Sequence, residues 1–433
     1  EGKCMSMAGD ERMESLIQEA YEQIPVYLRN GRDMNRKEEQ AGGLEDYPVL
    51  ERNQLIEEET AVLMPWAEML RMQGKLINGR TSGSSGKYME IFWTREDYHR
   101  SMLPLWFYRY KYYGIRPDDR VCYFYTIRSL DGMEDMVQRK AELGFSKSNL
   151  TMQRICHILD KMEEFQPEWL MLQPSVALLL CRCMDRCGKK APESIRYIEF
   201  TGEILTPEVR KTTREHFFGT GEGQTGYIAN QYGANEFNSI AYECPQGKLH
   251  IMKDNVVVEV LDSEKRNCRL GQEGELYLTT KTNRAMPLIR YRIGDRGCLC
   301  DESCSCGNKG KVLQLASGRA NDWILYETED GRLEKITPNV FVRTFDSINY
   351  KLDGAIKQFR VEQKGKNSFH IILVLEEDDG YLEQEVEKLF YQGLEDVRLK
   401  EAEYRFCYRE ELLPDEDTGK IRWFWNEVLQ KSS

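Results

Sequence analysis

Hydrophobic positions along this chain change period several times, and each change marks a different kind of element. Leu16, Ile17, Ala20 and Tyr21 recur at helical spacing up to Pro25 and predict a helix within residues 10–30. Residues 31–43 are polar and charged and predict a loop. Helical segments with aromatic and Met faces follow over residues 50–78, and then a Gly/Ser-rich run over 81–87. Aromatics crowd residues 95–115 (Trp106, Phe107, Tyr108, Tyr110, Tyr112, Tyr113), and this density predicts a buried amphipathic helix. Between 120 and 280 short β-like runs alternate with helical ones. Residues 121–125, 169–173, 196–201 and 228–231 predict strands, and 150–164, 174–187 and 206–217 predict helices. That alternation favours an α/β sheet. Residues 256–261 and 274–280 add β-rich sequence downstream.

After Gly318 the composition shifts. Residues 359–363, 370–375 and 404–408 read as strands and 382–390 as a helix, which predicts a small α+β domain. The expected fold class is therefore α/β. A large N-terminal domain over residues 1–317 would carry α/β layers and a β-rich subdomain, and residues 318–433 would form the small C-terminal domain. The length of 433 residues and a hydrophobic share of 41% exclude a disordered chain. A formal net charge of −12 argues against a general nucleic-acid or anionic-membrane binder, which needs basic faces. No run approaches the roughly 18 consecutive apolar residues that a membrane span requires. Thirteen cysteines in a chain whose first ten residues lack a signal-peptide pattern predict a cytoplasmic protein with reduced thiols, some of them holding a metal.

Several polar motifs interrupt these patterns. Thr81-Ser82-Gly83-Ser84-Ser85-Gly86-Lys87 offers backbone N–H groups, hydroxyls and an ammonium to an anion. It is not a Walker loop, because only two residues separate its glycines and Tyr88 follows the Lys. Thr201-Gly202-Glu203-Ile204-Leu205 follows a predicted strand. Gln231-Tyr232-Gly233-Ala234-Asn235-Glu236, Tyr291-Arg292-Ile293-Gly294-Asp295, Gly318-Arg319-Ala320-Asn321-Asp322 and Thr418-Gly419-Lys420 come after it in that order.

This ordered set resembles the adenylate-forming superfamily of acyl-CoA synthetases, nonribosomal-peptide adenylation domains and luciferases. The closer resemblance is to its phenylacetate–CoA ligase branch, including the capsule-biosynthesis and coenzyme F synthetase-like members. Residues 20–25, 241–245 and 283–292 carry it. The resemblance implies MgATP-dependent conversion of a carboxylate to an acyl-adenylate plus pyrophosphate, then transfer to a thiol, with coenzyme A the expected co-substrate. It implies that Thr81, Ser82, Ser84, Ser85 and Lys87 hold the departing phosphates. Gly202 and Glu203 would flank the adenine, and Tyr232, between Gln231 and Gly233, would stack on it. Glu236 would ligate Mg²⁺. Asp295 would bind the ribose hydroxyls, and Arg319 would support ribose and phosphate. Lys420 would swing in with a mobile C-terminal lid hinged at Asp322 and bridge the carboxylate and α-phosphate. Asp295 or Lys420 alone would be an ordinary surface charge; the full series gives them meaning.

Cys244, His250, Cys304 and Cys306 match a pattern common in the same branch, which implies a structural Cys₃His zinc site. The alternative set Cys298, Cys300, Cys304 and Cys306 stays open. Cys181, Cys183 and Cys187 lie on a predicted helix among Arg residues and read as packing or surface thiols. The segment 122–130 lacks the Gly-rich stretch usual in phenylacetate ligases. Its aromatics suit an aryl or apolar acid, and Arg128 could meet a polar substituent. The expected partners are a small carboxylate, ATP and coenzyme A, with no nucleic acid and homodimerisation left open. A carrier-protein or amine acceptor and a non-catalytic nucleotide-binding homologue stand as the alternatives.

Overall fold

The computed structural model describes residues 2–32, 43–56, 62–81, 89–125, 135–147, 150, 152–220, 226–301, 303–319, 323–328, 331–336, 338–352, 355–376, 380–394, 399–413 and 422–430. The chain forms two compact units, Glu1–Arg116 with Gln231–Ala316 and Pro117–Asn230 with Ser317–Ser433. Both mix helices with sheet, and the fold class is α/β.

The first unit is built on antiparallel strand pairs. Val256–Leu261, Gly274–Thr280 and Tyr291–Cys300 pair in sequence, and Val312–Arg319, Leu249–Ile251, Asn238–Glu243 and Tyr227–Ala234 continue the order. Its core takes Val256, Val258, Val260, Leu276 and Leu278 from this sheet and Leu16, Ile17, Ala20 and Ile24 from the N-terminal helices. Period-2 strands and a period-3.6 helix thus bury their apolar faces together. The helix predicted up to Pro25 is Gly2–Gln23, and a second, Pro25–Arg32, begins at the proline, which is pre-organised for a first helical turn.

The motif over residues 283–292 works as a brace in this unit. Tyr27 donates its hydroxyl proton to the Pro287 carbonyl at 2.8 Å and accepts from the Ile289 N–H at 3.0 Å. Arg290 binds Glu259 through two bonds of 2.9 and 3.1 Å, and both side chains are buried. Asn283 donates to the Phe92 carbonyl at 3.0 Å.

The helix Arg95–Tyr113 corrects the expectation for that region. Thr94 caps its start by accepting from the Asp97 N–H at 3.0 Å, and Gly114 ends it at φ 67°. Its buried residues are Asp97, Ser101, Leu105, Arg109 and Tyr113, spaced four apart, whereas Phe107 and Tyr110 are exposed. The inner face is held by polar bonds. Asp97 accepts from Arg284 at 2.8 Å, and the Ser101 hydroxyl and carbonyl accept from Asn238 and Asn255, each at 2.6 Å. Aromatic density alone does not say which side of a helix faces inward.

The second unit holds a parallel sheet. Val121–Tyr125 lies between Glu142–Ser146 and Trp169–Leu172, Tyr197–Thr201 pairs with the latter, and Met136–Gln138 adds an antiparallel edge. Helices Met152–Phe165, Pro174–Cys187 and Pro207–Phe218 bury Ile155, Ile158, Val176, Leu179, Leu180 and Val209 in the same core. The C-terminal part of this unit has a separate core. A sheet in the order Glu403–Tyr408, Ser368–Leu375, Ile356–Gly365, Phe424–Asn426 carries helices Asn339–Lys351 and Gly380–Gly393. Phe341, Phe345, Phe369 and Phe390 fill its interior.

Candidate active site and thiol–imidazole centre

Strand Tyr227–Ala234 turns into Asn238–Glu243 through a tight hairpin, and a bulge falls between Tyr232 and Gly233. Only glycine fits after that bulge, since a Cβ on Gly233 would stand 2.4 Å from the Asn238 carbonyl oxygen. Trp93 steadies the corner by donating its indole N–H to the Asn235 carbonyl at 3.1 Å, and Gln231 donates to the Ser239 hydroxyl at 3.3 Å. Tyr232 points its hydroxyl at strand Tyr291–Cys300 and donates to Asp295 Oδ2 at 2.6 Å. Two of the predicted nucleotide-binding residues, 63 positions apart, are therefore in direct contact. Glu236 sits at the corner of the same hairpin, 6% exposed, with the Arg52 guanidinium 3.9 Å away. A carboxylate this buried is costly without cationic partners, so the corner suits a cation.

Thr81 ends strand Ile77–Thr81, whose register pairs it with Met89 at the start of Met89–Trp93. The Gly/Ser run thus joins two antiparallel strands, but Ser82, Ser84, Ser85 and Lys87 lie outside the described residues. So do Asp322 and Lys420. Arg319 is the last residue of strand Val312–Arg319. In the second unit Gly202 has φ 80°, and Glu203 accepts from the Ser175 N–H at 3.0 Å and the Ser175 hydroxyl at 2.9 Å. Its carboxylate therefore anchors the first turn of helix Pro174–Cys187, where a negative charge is favoured. No local motif signals this contact, because Ser175 lies 28 residues upstream. Along Val121–Tyr125, Cys122 and Phe124 face the core, while Tyr123 and Tyr125 share the other face with ring centres 5.8 Å apart. Arg128 lies outside the described residues.

The same unit contains a cavity of about 470 Å³ between helix Pro174–Cys187 and the C-terminal sheet, lined in part by Arg182, Arg186, His216, Lys357 and Arg409. None of its lining residues is a predicted site residue.

Cys244, His250, Cys304 and Cys306 converge, with their ligand atoms all within 4.8 Å of one another. Cys244 Sγ is 3.6 Å from Cys304 Sγ, and Cys306 Sγ is 3.3 Å from His250 Nε2. The thiols ride on two similar turns. Gly247 donates back to the Cys244 carbonyl at 2.8 Å and Gly307 to that of Cys304 at 3.2 Å, with φ of 71° and 80°. Burial lowers the His250 pKa, which favours the neutral imidazole, the form that binds metal. Burial pushes the Cys244 thiol up to about 12, against backbone hydrogen bonds from Lys248 and Gln246. For Cys306 burial is outweighed by hydrogen bonds from the Asn308 N–H and Tyr112, and its pKa is lowered. Tyr112, 3.6 Å from Cys306, is a neighbour that the sequence reading missed. Among the described residues Cys298 and Cys300 do not join the group; they lie 4.0 Å from each other, and Cys298 meets Gln314 at 3.6 Å. The set that includes them is not assembled.

The order of elements and the placement of these motifs give the chain the fold of adenylate-forming enzymes. Its sequence relatives lie on the phenylacetate–coenzyme A ligase branch. The phenylacetate–coenzyme A ligase of Thermus thermophilus is 26% identical over 338 residues, 73% of this chain and 70% of that protein. The enzyme of the same name from Pseudomonas putida is 24% identical over 304 residues, covering 66% of this chain and 64% of its own length. Among solved structures, a 2-hydroxyisobutyryl-CoA ligase with bound acyl-adenylate shares the fold. Its TM-score is 0.75 at 16% identity, covering 99% of this chain and 92% of that one. No family model matches the chain.

Proposed function

We propose that this protein uses ATP to convert a carboxylic acid to an acyl-adenylate with release of pyrophosphate, then transfers the acyl group to the thiol of coenzyme A. The reading rests above all on the hydrogen-bonded pair of Tyr232 and Asp295, on neighbouring segments that carry the nucleotide motifs, with buried Glu236 on the same hairpin. Asp295 would accept from the ribose hydroxyls while Tyr232 fixes its second oxygen, and the Tyr232 ring would lie against adenine. Glu236 would hold Mg²⁺, a hard cation that offsets charge on the phosphates. Thr81, Ser82, Ser84, Ser85 and Lys87 would hold the departing pyrophosphate.

The attack of the carboxylate on the α-phosphate gathers negative charge, so fixed cations there carry most of the acceleration. Lys420 would supply one, delivered by residues 318–433 acting as a lid hinged near Asp322, and Arg319 another. An aryl or apolar acid is the favoured substrate, supported by the paired rings of Tyr123 and Tyr125. Cys244, His250, Cys304 and Cys306 would hold a structural zinc ion, supported by their convergence, by the lowered pKa of His250 and by the two matching turns. Twelve of the thirteen cysteines, all but Cys4, are described as free thiols, in keeping with work in the reducing cytoplasm.

The test is a panel of aryl, branched and straight-chain acids, each given MgATP with either coenzyme A or an amine, with products identified by mass. The reading expects AMP and an acyl-CoA thioester from at least one acid. An amide without thioester would replace the acceptor, and no AMP from any acid would reject the activity.

A further inference from the structure

The second unit contains a group of thiols that no step above uses. Cys156 on helix Met152–Phe165 meets Cys183 and Cys187 on helix Pro174–Cys187, with Sγ separations of 2.8 Å (Cys156–Cys183), 2.9 Å (Cys156–Cys187) and 3.8 Å (Cys183–Cys187). Cys183 and Cys187 are four residues apart, so one helix face presents both sulfurs, and the adjoining helix brings the third. Cys181, two residues before Cys183 on the same helix, is buried in the core and is not part of the group. We propose that Cys156, Cys183 and Cys187 form a second metal centre, a three-thiolate site for one thiophilic d¹⁰ ion, zinc(II) or copper(I).

Geometry, charge and access support this assignment. Two thiolates bound tetrahedrally to one zinc at about 2.3 Å stand about 3.8 Å apart; Cys183 and Cys187 are at that spacing, and Cys156, closer to both, has only to draw back by about 1 Å to complete the set. A disulfide or a packing contact needs only two sulfurs to meet, whereas one ion accounts for the convergence of all three. Soft thiolate sets select zinc and copper(I) over hard cations. Cys187 is the last residue of its helix, and Gly188 ends it at φ 62°; the helix end disfavours bare thiolates, so their charge needs the bound ion to offset it. Three thiolates around zinc(II) carry one net negative charge. Lys189, which donates to the Cys156 carbonyl at 3.2 Å and pairs with Asp160, stands beside them. Cys183 is buried and Cys187 exposed, so the group runs from the core to the surface and an ion can reach it from solvent. Binding releases a proton from each thiol that enters as thiolate.

The test is metal stoichiometry on the full chain, independent of any activity. Wild type and the variants Cys187→Ser, Cys156→Ser and Cys304→Ser are purified with reductant, stripped with chelator and checked by circular dichroism. Each is titrated with zinc(II) against a chromophoric chelator and, anaerobically, with copper(I) against a copper(I) chelator. The expected result is one equivalent of zinc or copper(I) that wild type and Cys304→Ser bind and that Cys187→Ser and Cys156→Ser lack. Cys187 is exposed, so its conservative replacement leaves the core intact. Equal capacity for both ions in wild type, Cys187→Ser and Cys156→Ser would overturn the assignment. So would wild type that takes up neither ion at this position with all three thiols reduced.

Discussion

Asp295 is the residue on which the nucleotide reading can be tested with the least structural disturbance. It sits in a strand, and Tyr232 already donates to one of its oxygens, so the carboxylate is oriented before any ligand arrives. Hydrogen bonds to a charged acceptor contribute about 1.5–3 kcal/mol, which corresponds to roughly 10- to 150-fold in affinity. Asp295→Ala is therefore expected to weaken ATP binding by about that factor in a calorimetric titration while the unfolding midpoint moves little. Unchanged ATP affinity would remove Asp295 from the site. Residue identity made the candidate site legible: Tyr232 and Asp295, picked out by their places in the ordered motif series, are in contact, and Glu236 lies on the same hairpin as Tyr232. The contact of Glu203 with Ser175 was not legible, because a carboxylate aimed at an adenine and one aimed at a helix start look the same in sequence.

At the scale of elements, paired charges hold strands and loops in register. Burial raises the Glu275 pKa, but Arg292, bonded at 2.6 and 2.9 Å, outweighs it and leaves the carboxyl below its usual value. The folded protein then binds fewer protons at this site than the unfolded chain. The stabilisation is complete above the ordinary Glu value of about 4.3 and is lost as pH falls through the lower folded value. Glu275→Gln is expected to be less stable than wild type near neutrality and to converge on it as the pH falls below the ordinary carboxylate range, followed by urea unfolding at several pH values. A constant gap across that range would contradict the shift. Arg290 and Glu259 make a deeper pair. Arg290→Ala leaves Glu259 buried without its bidentate partner and is expected to cost about 3–5 kcal/mol, whereas replacing both with apolar residues costs far less. Denaturant unfolding of the single and double variants checks this.

The four-ligand centre joins the turn after Asn238–Glu243 to the turn over residues 304–307. Cys304→Ser is expected to lose one zinc equivalent in elemental analysis and to lower Tm by several degrees; unchanged metal content would refute the site. Strands with strict alternation, such as residues 404–408, and the helix over 174–187 were readable from their periods. The inner face of Arg95–Tyr113 was not, since its buried side is anchored by Asp97 and Ser101, polar residues whose partners lie more than a hundred positions away.

For the whole molecule, the order of motifs carried more information than composition did. A net charge of −12 argues against general polyanion binding, yet the proposed substrate is itself an anion, so the proposal needs its cations concentrated locally, at Lys87, Arg319 and Lys420. Contacts between distant helices stayed hidden, and the three-thiol group is the clearest case. Cys183 and Cys187 carry a helical spacing in the sequence, but nothing there pairs them with Cys156. The sequence match to a phenylacetate–coenzyme A ligase covers 73% of the chain, and the fold agrees over 99% of it with a ligase only 16% identical. The central claim is carboxylate activation, and its most direct test is carboxylate-dependent exchange of labelled pyrophosphate into ATP, which needs no acceptor. The account predicts exchange with at least one acid of the panel and its loss in Lys420→Ala, with ATP binding largely retained. Absence of exchange with every acid, or full exchange in Lys420→Ala, would contradict it.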